Sequence, residues 1–167
     1  MDTLSHALWG KGLFGYRKYR KYALLFGALP DLMSFGFYML YNLITNPNHF
    51  KLGKPSLEEL PNWIFQLYDF SHSIIIAIVF IAIVYQINKD FCFPMFAWPC
   101  HIILDFFTHS KEYFPTPIFW PISNYRFDGI PWSVPIIWFA NIFLILILFI
   151  YRKKIVKFLY NFFYIFI

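Results

Sequence analysis

Charged residues are scarce in this 167-residue sequence, with Asp, Glu, Lys and Arg making up 14% of it, against about 25% in an ordinary soluble domain. A chain so poor in charge and 59% hydrophobic cannot hide its apolar surface in a core of its own, since a domain of this size buries only about 70% of its unfolded surface. That excludes a disordered chain and argues strongly against a soluble one. Cysteine is nearly absent. Cys92 and Cys100 share one apolar stretch, which excludes a disulfide framework and a cysteine-based zinc knuckle. No internal repeat is present, and Met1-Asp2-Thr3 lacks the basic opening of a secretory signal peptide. The expectation is an all-α, polytopic helical membrane bundle forming a single domain over residues 1–167.

A short helix is expected from Thr3 to about Phe14, capped by Asp2 or Thr3. Apolar except for His6 and Lys11, it is too short to cross a bilayer alone and reads as an inserted N-terminal helix. Four full spans follow, over residues 22–44, 63–87, 91–107 and 132–151. Each is of the order needed at roughly 1.5 Å per residue. Gly27, Pro30 and Asp31 interrupt the first of them. A polar loop covers residues 45–60, Asn88-Lys89-Asp90 makes a tight turn, and residues 155–167 read as an interfacial helix. The segment 110–131 carries Pro115, Pro117, Pro121 and Pro131 among many aromatics, so it cannot be one regular helix.

The net charge of +5 does not point to nucleic acid, because residues 17–21 and 152–154 carry it directly beside apolar runs. There it marks the cytoplasmic edge of membrane spans. Alternating the spans from a cytoplasmic 17–21 segment puts Lys89 and residues 152–157 on the same side. The C-terminus is then cytoplasmic and the N-terminus outside. The partner so defined is a lipid bilayer; oligomeric state is left open.

Ionisable groups inside apolar spans are costly and therefore mark function. Here they are His6, Asp31, His72, His101 and Asp105, with Asp69 and His109 near span ends. Singly, each has a structural explanation: His6 or Asp31 could cap a helix, and His72 could sit at the interface. Together they are harder to dismiss. His101 and Asp105 are spaced i, i+4 and share a helical face, His109 continues that face, and Asp69 and His72 are spaced i, i+3. Counted from the basic anchors, the first five fall in one layer about 10 Å deep in the middle-to-outer part of the bilayer. Histidine nitrogen with carboxylate oxygen is a zinc-type donor set that also admits manganese.

Several of these residues also carry a resemblance. Leu4-Ser5-His6, Gly27-Ala28-Leu29-Pro30-Asp31, Ser71-His72-Ser73 and the run from His101 through Asp105 to Thr108 resemble the motifs of the YdjM-type family. So does the aromatic-proline stretch 117–121 with Tyr125-Arg126-Phe127. This is a family of small bacterial inner-membrane proteins described as metal-dependent hydrolases. It is itself similar to the helical zinc-dependent phospholipase C and single-strand nuclease superfamily. The resemblance implies His6, Asp31, His72, His101 and Asp105 as metal ligands, and a bacterial inner-membrane location. Met33 stands where family members often have a second Asp, and Gln66 or Leu67 where many have a further His; Asp69 or His109 could substitute.

The function expected is a membrane-embedded hydrolase acting on a phosphodiester or lipid-like substrate with a divalent metal, zinc or manganese. Asp31 or Asp69, whichever is not a ligand, is the candidate general base, and Arg126 the candidate phosphate-binding residue. A metal or proton carrier and a non-enzymatic membrane scaffold are the alternatives.

Overall fold

The computed structural model describes residues 1–47 and 53–164, the side chains of 159–164 excepted. The expected loop 45–60 and interfacial helix 155–167 therefore lie partly outside the described residues. Among those described, the chain is all-helical with no strand. Its helices are α1 (Thr3–Phe14), α2 (Tyr22–Asp31), α3 (Phe37–Thr45), α4 (Asn62–Ser71), α5 (Ile74–Ile87), α6 (Lys89–Met95), α7 (Ala97–Thr108), α8 (Pro135–Ile150) and α9 (Arg152–Tyr164).

Two stretches are long and apolar enough to cross a membrane, Tyr22–Thr45 and Lys89–Thr108; the number rises to four if the bent pairs α4–α5 and α8–α9 each count as one span. Polarity is inverted relative to a soluble domain. Phe37, Ile44, Phe139 and Phe143 face outward, whereas Ser5, His6, Asp31, Ser34, His72, His101, Asp105 and Asn141 are buried. An apolar exterior around a polar interior suits a chain surrounded by lipid.

Helix α1 begins as its sequence dictates, with Asp2 as the N-cap accepting the Ser5 N–H at 2.9 Å. It packs against α2, α7 and α8. Its approach to α2 is close because Gly10 and Gly27 meet at the crossing. A Cβ on Gly27 would stand 3.1 Å from Ala7 Cα and closer still to the His6 carbonyl oxygen. The contact with α8 is polar: Trp9 Nε1 donates to Asn141 Oδ1 at 2.8 Å, and Asn141 Nδ2 donates to Ser5 Oγ at 2.8 Å.

Two sequence expectations are corrected. Residues 27–31 do not break the first span: α2 runs through Pro30 and passes into α3 by a π-helical turn, Leu32–Gly36. Ser34 Oγ donates to the Pro30 carbonyl at 3.0 Å, and Asp31 caps nothing. The break lies instead in the second span, where α4 ends at Ser71 and α5 restarts at Ile74 with a bend of 56°. Backbone groups freed at membrane depth need other partners, and the neighbours supply them. Trp98 Nε1 donates to the Ser71 carbonyl at 2.7 Å, and Ile74 N–H to the Ile118 carbonyl at 3.0 Å. Ser73 Oγ donates to the Trp120 carbonyl.

The proline-rich segment is thus a cover docked on the break. It returns along the end of α7, with Gly129 N–H donating to the His109 carbonyl at 2.8 Å and Ile130 N–H to Phe107 at 3.1 Å. A Cβ on Gly129 would collide with both carbonyl groups, so the close approach requires glycine.

Gly27→Val should lower stability by about 1–3 kcal/mol through overpacking of the α1–α2 crossing. Thermal unfolding of the detergent-solubilised chain checks this; an unchanged midpoint would show that the helices separate freely.

Candidate metal centre

The broken span, the π-turn helix and α7 converge on one point. Asp31 ends α2, His72 caps the C-terminus of α4, and His101 and Asp105 lie one turn apart on α7. One ligand atom from each of these four buried residues falls within 4.8 Å of the other three. Nε2 of His72 is 3.2 Å from Nε2 of His101. Asp105 Oδ2 is 3.1 Å from His101 Nε2 and 3.6 Å from His72 Nε2. Asp31 Oδ1 is 3.7 Å from each histidine. Donors held about 2.0–2.2 Å from a common tetrahedral centre stand about 3.3–3.6 Å apart. The group could therefore hold a metal ion.

The histidine tautomers point the same way. His101 Nδ1 is 2.7 Å from the Gly27 carbonyl, which can only accept, so Nδ1 carries the proton. His72 Nδ1 lies 3.2 Å from the Tyr68 carbonyl and 2.9 Å from Ser71 Oγ, and by the same reasoning donates. Both rings then turn Nε2 inward, toward each other and toward two carboxylates. Asp105 Oδ2 is fully buried and has no hydrogen-bond partner. With each ring singly protonated these are four acceptors in one buried space, an arrangement that a cation between them would stabilise. Outer partners that orient ligands in this way are a regular part of metal sites.

His6, expected as a fifth ligand, reaches the centre but not the converging group. Its Nε2 is 2.8 Å from Asp105 Oδ1, the oxygen turned away from the other three donors, and its ring stacks on His101 with centroids 3.5 Å apart. His109, expected as a possible additional ligand, also serves that oxygen: its Nε2 is 3.4 Å from Asp105 Oδ1, and its Nδ1 is 2.9 Å from the Phe114 carbonyl. The Met1 α-amino group contacts the same oxygen.

Asp69 and Arg126 join each other. Arg126 Nη2 donates to Asp69 Oδ1 at 2.7 Å, and Nη1 to the Pro115 carbonyl at 2.9 Å. Asp69 is thus engaged by Arg126 and is not among the four converging residues.

Three further residues at the site went unassigned from the sequence. Thr3 Oγ1 donates to Asp31 Oδ2 at 2.8 Å. Gly27 supplies the carbonyl for His101. Tyr68 stacks on His72 with centroids 3.8 Å apart, and its hydroxyl donates to the Phe114 carbonyl at 2.8 Å. Gly27 lies inside a quoted motif, and Tyr68 is four residues before His72. Nothing local marks Thr3.

Compared with protein-family models, curated proteins and solved structures, the chain matches none. The metal centre therefore stands on its geometry.

Thr3→Val removes the hydroxyl that orients Asp31 while keeping the shape of the side chain. It should weaken metal affinity by about tenfold or more and leave the fold intact, as read by competition with a chromophoric chelator and by circular dichroism.

Proposed function

We propose that this chain is a membrane-embedded, metal-dependent hydrolase of the YdjM type, acting on a phosphodiester or lipid-like substrate from the outer half of a bacterial inner membrane. The single observation that carries it is the convergence of Asp31, His72, His101 and Asp105, whose ligand atoms all lie within 4.8 Å of one another. Zinc suits this donor set best, with manganese the next candidate. When bound, such a metal polarises the scissile group and lowers the pKa of coordinated water toward neutrality.

The chain's own residues take the remaining roles. His72 and His101, oriented through Nδ1, and Asp105, held by His6, form the fixed part of the coordination shell. Asp31 is the movable part: its side chain is 9% exposed where the other three are at 0%. A catalytic centre keeps one position open to water or substrate. Asp31 would leave that position to water and accept the proton that the water gives up on attacking the substrate. Arg126, beside the cover, binds the anionic group of the substrate by charge-assisted hydrogen bonds, and Asp69 holds the guanidinium in place. The four-span topology, with residues 17–21 and 152–157 on the cytoplasmic side, belongs to the same proposal.

One observation favours a second reading. Four buried protein donors also describe a closed, structural metal site, as a non-enzymatic scaffold would have.

Purified protein should carry about one equivalent of zinc or manganese by elemental analysis, and His101→Ala and Asp105→Ala should lose most of it. Background metal in the wild type would overturn the proposal. Chelation separates the two readings. A hydrolase loses turnover of a chromogenic phosphodiester reversibly and stays folded, whereas a structural site unfolds with its metal. Arg126→Gln should raise KM for that anionic substrate by about tenfold or more, the worth of a hydrogen bond to a charged group.

A further inference from the structure

The charges of this chain are segregated along its length in space as well as in sequence. Lys18 Nζ reaches Asp90 Oδ2 at 3.2 Å, and Asn88 Nδ2 reaches the Tyr19 hydroxyl at 3.3 Å, which joins the loop after α1 to the α5–α6 turn. Arg152 joins α9 to the same end. Its guanidinium donates to the carbonyls of Lys11 at 2.9 Å and Gly15 at 2.6 Å, closing the C-terminus of α1. Ten of the fourteen Lys and Arg residues belong to this end: Lys11, those of 17–21, Lys89 and those of 152–157. Asp90 is its one acidic residue of the nine in the chain, giving this end +9 while the rest of the sequence sums to −4. The metal centre is built at the other end of α1 and α7.

Helix α9 is not a loose tail. It leaves α8 at 79° and is pinned by Arg152, so it runs nearly perpendicular to α8. Lys153, Lys154 and Lys157 are exposed, and so is Phe158, while Ile155 and Val156 are half-buried. Cations beside an apolar edge, on a helix lying across the end of a bundle, are the composition of a segment resting in the headgroup layer. In the loop after α1, a shallow pocket is lined by Tyr19, Arg20, Lys21 and Tyr22, which pairs interfacial aromatics with cations.

We propose that this end is a docking surface for acidic phospholipid headgroups, in which Lys153, Lys154 and Lys157 of α9, together with Arg20 and Lys21, bind lipid phosphates in the leaflet opposite the metal centre. Charge complementarity carries the assignment: a surface with nine net positive charges, facing a bilayer plane, is matched by anionic lipid and not by zwitterionic lipid. The proposal rests on the membrane reading but not on hydrolysis.

The test reconstitutes the full chain into nanodiscs of phosphatidylcholine alone and of phosphatidylcholine with phosphatidylglycerol, and counts retained lipid by native mass spectrometry. Phosphatidylglycerol should be enriched around the wild type, and the triple variant Lys153→Gln, Lys154→Gln, Lys157→Gln should reduce that enrichment by about fivefold or more. These side chains are exposed, so the variant keeps its fold, which equal incorporation into phosphatidylcholine discs confirms. High salt should weaken the enrichment. Equal retention of both lipids, enrichment unchanged in the variant, or preferential binding of an oligonucleotide by the same lysines would overturn the proposal. Failure to enter neutral discs at all would instead overturn the membrane reading.

Discussion

Asp105 is the constraint around which the molecule is arranged. A carboxylate with no solvent exposure, among helices whose outer faces are apolar, is tolerated only when each oxygen is matched by something positive or by a donor. Its Oδ1 is matched by His6 and the Met1 amino group. Its Oδ2 faces His72, His101 and Asp31, none of which donates to it. One oxygen is thus satisfied by protein, and the other belongs to the group that could hold a metal ion. The two halves of the centre follow from that division.

Bringing donors to Oδ2 requires irregular backbone in the middle of apolar helices, and the fold supplies it twice. The π turn follows directly on Asp31, and the break between α4 and α5 falls at His72 and Ser73. The loosened backbone is satisfied by Ser34, by Trp98 and by the proline-rich cover. The cover therefore completes the hydrogen bonding of the break and encloses the site in one arrangement. Helix α8 contributes no ligand, but Asn141 ties it to α1 and so holds His6 against Asp105.

Much of this was legible from the residues. A helix capped by Asp2 or Thr3 and running to about Phe14 follows from the apolar run behind the cap, and the structure has it over Thr3–Phe14 with Asp2 as the cap. The pairing of His101 with Asp105 follows from one helical turn, since α7 is regular over both. What could not be read depends on contacts between distant segments. The helix that carries Asp69 stops at Ser71, where Trp98 and residues 118–120 supply partners for the freed backbone. Arg126 meets Asp69 across 57 residues of sequence. His6 looks like a ligand from its position in the layer, yet the stacking of its ring on His101 turns its nitrogen to the far oxygen of Asp105.

The sequence alone determined the environment and the inventory. So few charges among so many apolar residues point to lipid, and His6, Asp31, His72, His101 and Asp105 are expected at one depth, because spacing along a helix converts directly into height. Depth is a one-dimensional quantity. Which side chains at a common height face one another, which oxygen of Asp105 each of them serves, and which carboxylate an arginine occupies were decided only by helix rotation, a bend of 56° and the docking of the cover. Those depend on packing between helices far apart in sequence, which no local pattern encodes.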